Sequence, residues 1–161
     1  KTQGCYFITV VTFNRSCLFG HVENEEMILS DSGKMIDHIY HTIEERFLQV
    51  GCMDYVVMPN HFHCILYLDR KNDDSIPKVM DYFKSMTTDE YIKKKKKKGW
   101  RRFEDHLWQR NYWDDIIWNA RQFEYVQNYI ALNPSRWNKD NINPHHDEDV
   151  DHILSQFKQL R

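Results

Sequence analysis

The stretch Tyr55–Leu68, YVVMPNHFHCILYL, decides how this chain is read. It joins two apolar runs, MDYVVM and HFHCILYL, at Pro59-Asn60. Proline has no N–H to give to a strand ladder, and a Pro-Asn pair favours a turn. Two adjacent antiparallel strands are therefore expected. Alternate residues of a strand point to the same side. His61, His63, Ile65 and Tyr67 then share one face of the second strand, and Phe62, Cys64, Leu66 and Leu68 share the other. Two imidazoles stand side by side in a strand otherwise built for burial. They are either ordinary strand residues or two ligands of a metal site, because neutral imidazole is a common ligand. Two ligands do not complete a site: a divalent ion wants a third, often oxygen, and open positions for catalysis.

Upstream, CYFITVVTF is β-branched and aromatic and predicts a buried strand over Tyr6–Thr12. SDSGKMIDHIYHTIEERF follows, with Ser30 or Asp31 as N-cap and Met35, Ile36, Ile39, Tyr40, Ile43 and Phe47 at helical spacing, so a helix is expected over Asp31–Gln49. Downstream, Val79, Met80, Phe83, Met86 and Tyr91 mark a second helix whose lysine-rich end suits the negative pole of the helix dipole. LWQRNYWDDIIW reads as a further strand with a bulge around Tyr112–Asp115. NARQFEYVQNYIALN reads as a third helix, capped by Asn119 and stopped before Pro134. The order β-α-β-β-α-β-α, with one tight hairpin, favours an α+β domain with a mostly antiparallel sheet and helices on one face.

The chain has 161 residues, which suits one domain, read here as 1–137, followed by a polar acidic C-terminal tail, 138–161. Within the tail the apolar turn ILSQFKQL is expected to dock, and His145, His146 and His152 are given no specific site. The net charge of −2 by itself speaks against a nucleic-acid partner. Its distribution does not: Lys93–Arg110 holds nine basic and two acidic side chains, enough for a phosphate-attracting patch. The cysteines at 5, 17, 52 and 64 have no Cys-x-x-Cys spacing and read as reduced, buried thiols. No apolar run approaches the roughly 18 residues of a membrane span, and a cytoplasmic protein is expected.

Three further groups could carry chemistry. On the last helix Tyr125, Tyr129 and Asn133 are four apart and share a stripe. Spacing alone explains both tyrosines as core packing and does not choose between them. KKKKKKGWRR interleaves Lys98, Trp100, Arg101 and Arg102, which form either a solvated helix end or a phosphate clamp with a stacking indole. Arg110, in WQRNYW, is a candidate DNA contact, and Asn60, beside the histidines, either orders a ligand or closes its turn, the turn being the preferred reading.

Taken in order, YVVMPNHFHCIL, LWQRNYWDDII and YVQNYIALNPSRW resemble the single-tyrosine HUH transposases, and most nearly the REP-associated tyrosine transposases. The likeness runs from Tyr6 to Trp137. It implies a ferredoxin-like core. It implies a divalent ion, Mg2+ or Mn2+, on His61, His63 and Asn133, and Tyr129 as the nucleophile. It further implies cleavage of single-stranded or hairpin DNA through a 5′-phosphotyrosine link, for DNA transposition or a domesticated derivative of it. Some relatives exchange the last helix in a homodimer and others act as monomers. Two alternatives stand beside this expectation: a catalytically silent DNA-hairpin-binding protein of the same fold, and a metal-dependent hydrolase that uses water.

Overall fold

The histidine pair opens a strand that lies inside a four-stranded antiparallel sheet. The structure, a computed structural model, describes residues 3–69 and 74–145. Its strands are β1 (Gly4–Val11), β2 (Gly20–Glu23), β3 (Glu26–Leu29), β4 (Val50–Val57), β5 (His61–Leu68) and β6 (Trp113–Ile117). Its α-helices are α1 (Asp31–Arg46), α2 (Ile76–Lys98) and α3 (Ala120–Ala131), and a 3-10 turn spans Pro134–Lys139. The sheet order is β4-β5-β1-β6, with every neighbouring pair antiparallel. With α1 and α2 as crossovers, this is the split βαβ order of the ferredoxin-like fold.

Both faces of the two central strands are apolar, so both must be covered. On one face Tyr6, Ile8 and Val10 of β1 and Phe62, Cys64 and Leu66 of β5 pack with α1 and α2 through residues such as Ile36, Tyr40, Val79 and Phe83. On the other, Phe7, Ile65 and Ile117 pack against Val126 and Ile130 of α3. The α+β class and antiparallel sheet expected from the sequence stand. The placement of helices on one face holds for α1 and α2 and is corrected for α3, which covers the face that carries His61 and His63.

Local signals place most of the boundaries. Ser30 caps α1 by accepting from the Gly33 amide, and Asn119 caps α3 by accepting from the Gln122 amide. Gly99, at φ 68°, ends α2 in the left-handed conformation that glycine adopts without strain. The expected long strand before α3 is shorter. The register of β6 with β1 runs unshifted from Trp113 to Ile117, and the expected irregularity lies just before it: Thr9 pairs with Trp113, but Thr12 bridges Trp108. A second irregularity sits in β4, between Cys52 and Tyr55. Trp108 stays alongside the end of β1, and its buried indole donates to Thr87 Oγ1 at 2.8 Å. The hairpin β2–β3 was not foreseen: its strands have four residues each and half-exposed faces, and its turn puts Asn24 and Glu25 at positive φ. The acidic tail from residue 146 onward, with ILSQFKQL, His146 and His152, lies outside the described residues.

Gly33 packs α1 directly onto the chain after β1. A Cβ there would lie 2.1 Å from the Phe19 carbonyl oxygen, a backbone atom that cannot swing aside. Gly33→Ala is expected to lower stability by about 1–3 kcal/mol, as overpacking does. Urea denaturation should show a lower midpoint at unchanged m-value. An unchanged midpoint would mean that the helix docks more loosely than described.

Candidate metal centre and nucleophile

The sheet register sets the site. His63 pairs with Thr9 and His61 with Val11 across β5 and β1. Both imidazoles are buried, at 1% and 0% exposure. His61 Nδ1 lies 2.9 Å from Asn60 Oδ1. The amide nitrogen of Asn60 donates to the carbonyls of Arg15 at 3.0 Å and Ile142 at 2.9 Å, so its oxygen is the acceptor toward His61. His61 then donates from Nδ1 and keeps its lone pair on Nε2. That lone pair faces two more acceptors, Asn133 Oδ1 at 3.2 Å and Asp140 Oδ2 at 3.6 Å. Acceptors gathered around a buried lone pair repel one another unless a cation lies among them.

His63 completes the group. Its Nδ1 is 2.8 Å from Thr9 Oγ1. With the imidazole as donor there, the Nε2 lone pair faces the cluster. Nε2 of His63 and Oδ2 of Asp140 are both buried without a hydrogen-bond partner. The candidate ligand atoms of His61, His63 and Asp140 lie within 4.8 Å of one another. Two imidazoles and a carboxylate, with the His61 ring fixed by a hydrogen bond from behind, fit a divalent ion.

The electrostatics agree. Burial lowers the pKa of His61, with the Asp140 charge opposing. Burial also pushes His63 well below the usual imidazole range, and the nearby His61 adds to this. Both rings are thus held neutral, the form that binds metal. The His61–Asp140 approach is accordingly between a neutral ring and a carboxylate rather than an ion pair.

Tyr129 reaches the same place from α3. Its ring meets His63 edge-on at 5.2 Å between centroids and Phe7 at 5.8 Å. Burial, then the charge of Asp140, raises the phenol's pKa above its ordinary value, while a hydrogen bond with Asn133 opposes this. Tyr125, one turn earlier, packs in the apolar cluster of Phe7 and Ile65. A cavity of about 280 Å³ opens beside the group, lined among others by Thr9, Arg15, His63 and Tyr129 but not by Tyr125.

The structure thus gathers His61, His63, Asn133 and Tyr129, all foreseen in the sequence. It adds Asp140, which reads in the sequence as one more acid of the tail. The 3-10 turn Pro134–Lys139 folds it back, closed by the Asp140 amide on the Trp137 carbonyl at 3.1 Å. Asn60 lies in the β4–β5 turn, as expected, and is also a buried link between three segments. The foreseen DNA contacts lie elsewhere, on the connection from α2 to β6, and none lines the cavity. Lys98, Arg101, Arg102 and Arg110 are exposed there. Trp100 is half-buried against Tyr91, at 5.1 Å between rings, so part of its indole already serves the core.

The site is thus an antiparallel ferredoxin-like sheet carrying a buried two-histidine cluster beside a tyrosine. The family model described as "Transposase IS200 like" matches residues 6–133, and the chain belongs to that family. It is similar to an uncharacterised protein of Haemophilus influenzae, 30% identical over 165 residues, covering 88% of this chain and 86% of that one. It is also similar to the REP-associated tyrosine transposase of Escherichia coli K12, 25% identical over 132 residues, covering 81% of this chain and 66% of that one. Among solved structures, a REP-associated tyrosine transposase bound to a REP hairpin superposes with a TM-score of 0.61 at 22% identity, covering 84% of this chain and 69% of that one. A candidate transposase of Deinococcus radiodurans superposes with a TM-score of 0.57 at 14% identity, covering 81% and 91%. At these identities the two structures establish the shared fold. Among the described residues no helix is long and apolar enough to cross a membrane.

Asn60→Ala removes the acceptor that sets the His61 tautomer and frees two buried carbonyls. Mn2+ affinity, read by titration calorimetry, is expected to fall about 10–100-fold, the usual cost of losing an outer hydrogen bond to a ligand. Undiminished affinity would show that His61 is oriented by other contacts.

Proposed function

We propose that this protein cuts and rejoins single-stranded DNA by strand transfer through a covalent 5′-phosphotyrosine at Tyr129. The observation that carries this reading is the placement of Tyr129 against His63, whose unpartnered Nε2 converges with His61 Nε2 and Asp140 Oδ2. His61, His63 and Asp140 would hold a divalent ion, with the Asn133 oxygen at its edge. Such an ion, when bound, supplies positive charge that polarises a scissile phosphate and favours the ionised phenol.

The rest belongs to the chain's own residues. Tyr129 Oη gives up its proton and attacks the phosphorus. The bond from phosphorus to the 3′ oxygen breaks, the leaving oxygen takes up a proton, and the 5′ phosphate stays on Tyr129. An incoming 3′-hydroxyl reverses the exchange, releasing Tyr129 as a phenol. No water is consumed, and each phosphodiester bond broken is replaced by another. Tyr129 is partly buried, packed against Phe7 and His63 and facing the cavity, so water reaches it from that side, and DNA bound in the cavity would limit hydrolysis. A phenol whose pKa is raised by burial is a poor nucleophile alone, so the neighbouring cluster and the tyrosine need each other.

For the partner, the family and the hairpin carried by the structural relative support DNA with a hairpin beside a single-stranded segment. The exposed Lys98, Arg101, Arg102 and Arg110 would hold its backbone away from the cut.

A denaturing gel tests the reading. Labelled single-stranded hairpin oligonucleotides, mixed with the protein and Mg2+ or Mn2+, should yield label that migrates with protein. The adduct should vanish in Tyr129→Phe and on chelation, persist in Tyr125→Phe, and fall by on the order of a hundredfold or more in His63→Ala. Turnover without an adduct, unaffected by Tyr129→Phe, would identify a hydrolase instead. Hairpin binding with neither adduct nor turnover would identify a DNA-binding relative without chemistry.

A further inference from the structure

The register that aligns the histidines also aligns residues at the sheet edge. Thr9 pairs with His63 on one side and with Trp113 on the other. Phe7 likewise pairs with Ile65 and with Asp115. Residues directly opposite in a ladder share a face, so Trp113 and Asp115 stand on the face of the metal cluster. Two strand spacings separate Trp113 from His63, about 10 Å. Between them lies the cavity of about 280 Å³, whose lining includes Phe7, Arg15, Trp113, Asp115 and Tyr129. It has room for one unstacked base.

Its walls are chemically distinct. Trp113 is a large aromatic left 62% exposed at the mouth. An indole face open to solvent beside a reacting phosphate is a stacking platform, and stacking tolerates any base. Arg15 is held at the mouth with φ 52°, next to Asn14 at φ 54°, a strained pair of a kind found at functional sites. Its guanidinium donates to the Asn141 carbonyl at 2.9 Å and its own carbonyl accepts from Asn60. Asp115 has the wrong charge for a phosphate and the right one for N–H donors. A carboxylate offers two acceptor oxygens side by side. Guanine alone presents two adjacent N–H donors, N1–H and the N2 amino group, on its Watson–Crick edge. Adenine and cytosine pair one amino donor with an acceptor that would face the carboxylate, and thymine flanks its single N–H with two carbonyls.

We propose that this cavity is a subsite for one unstacked guanine adjoining the cut phosphodiester, stacked on Trp113 and read by Asp115, with Arg15 on the neighbouring phosphate. The proposal rests on the strand-transfer reading and names a determinant of its target sequence. It separates two roles: Trp113 supplies affinity for any base, and Asp115 supplies identity.

The test uses the full chain with hairpins that carry a randomised single-stranded flank. Sequencing of the covalent adducts should show guanine enriched at one position next to the cut. Asp115→Asn should abolish that enrichment and leave preferences elsewhere intact. Trp113→Ala should lower adduct yield about tenfold for all bases, the scale of one lost stack, at an unchanged share of guanine. A parallel NMR titration with 5′-GMP, AMP, CMP and TMP should move the Trp113 indole signal most with GMP, and Asp115→Asn should erase the difference. Adducts whose guanine share is unaffected by Asp115→Asn would overturn the subsite. If no adduct forms at all, the strand-transfer reading fails, and the titration decides the subsite alone: equal response to the four nucleotides would overturn it.

Discussion

Acceptor atoms pointed at one another in a buried place set the terms for the rest of this molecule. His61 Nε2, Asn133 Oδ1 and Asp140 Oδ2 meet with no donor among them, and His63 Nε2 lies beside them without a partner. Buried polar atoms are normally hydrogen-bonded, and leaving them unpaired is costly. The surrounding structure holds them there nonetheless. Asn60 does most of the holding: one side chain orients His61, ties down the loop at Arg15 and anchors the segment at Ile142. Such a frame is explained by what it is shaped to receive.

The fold makes that frame affordable. The central strands β1 and β5 are apolar on both faces, and the larger cluster under α1 and α2 supplies most of the buried surface. The second face has a smaller apolar cluster under α3. Beyond that cluster, toward the start of β5, the same face can carry polar groups because stability is secured elsewhere. One helix therefore both seals the sheet and delivers Tyr129, and the chain leaving it brings in Asn133. The tyrosine rides on an element attached to the sheet by a modest apolar contact.

Much of this was legible in the residues. Strand periodicity alone put His61 and His63 on one face, and helical periodicity alone put Tyr125, Tyr129 and Asn133 on one stripe. The Pro-Asn turn and the capping residues Ser30 and Asn119 marked the boundaries of the main elements. Asp140 was not legible, because a 3-10 turn leaves no periodic trace and the residue sits among other acids. Asn60 offered two roles, ordering a ligand or closing the turn, between which the chain alone does not decide, because a buried asparagine and a turn asparagine look identical there. The short hairpin β2–β3 lacked enough alternation to be seen, and no local pattern announces the buried hydrogen bond from Trp108 to Thr87.

By itself, then, the sequence determined the elements, their faces and the candidate chemistry, because period and turn preference are properties of neighbouring residues. Tertiary structure decided which tyrosine meets the histidines, which oxygen joins them, and that α3 closes the second face of the sheet. Those are relations between residues as far apart as His61 and Asn133, 72 positions, set by strand register and by the burial of both faces. It also decided that Trp113 and Asp115 share a face with the histidine cluster, since only the pairing of β6 with β1 brings the sheet edge into line with His63.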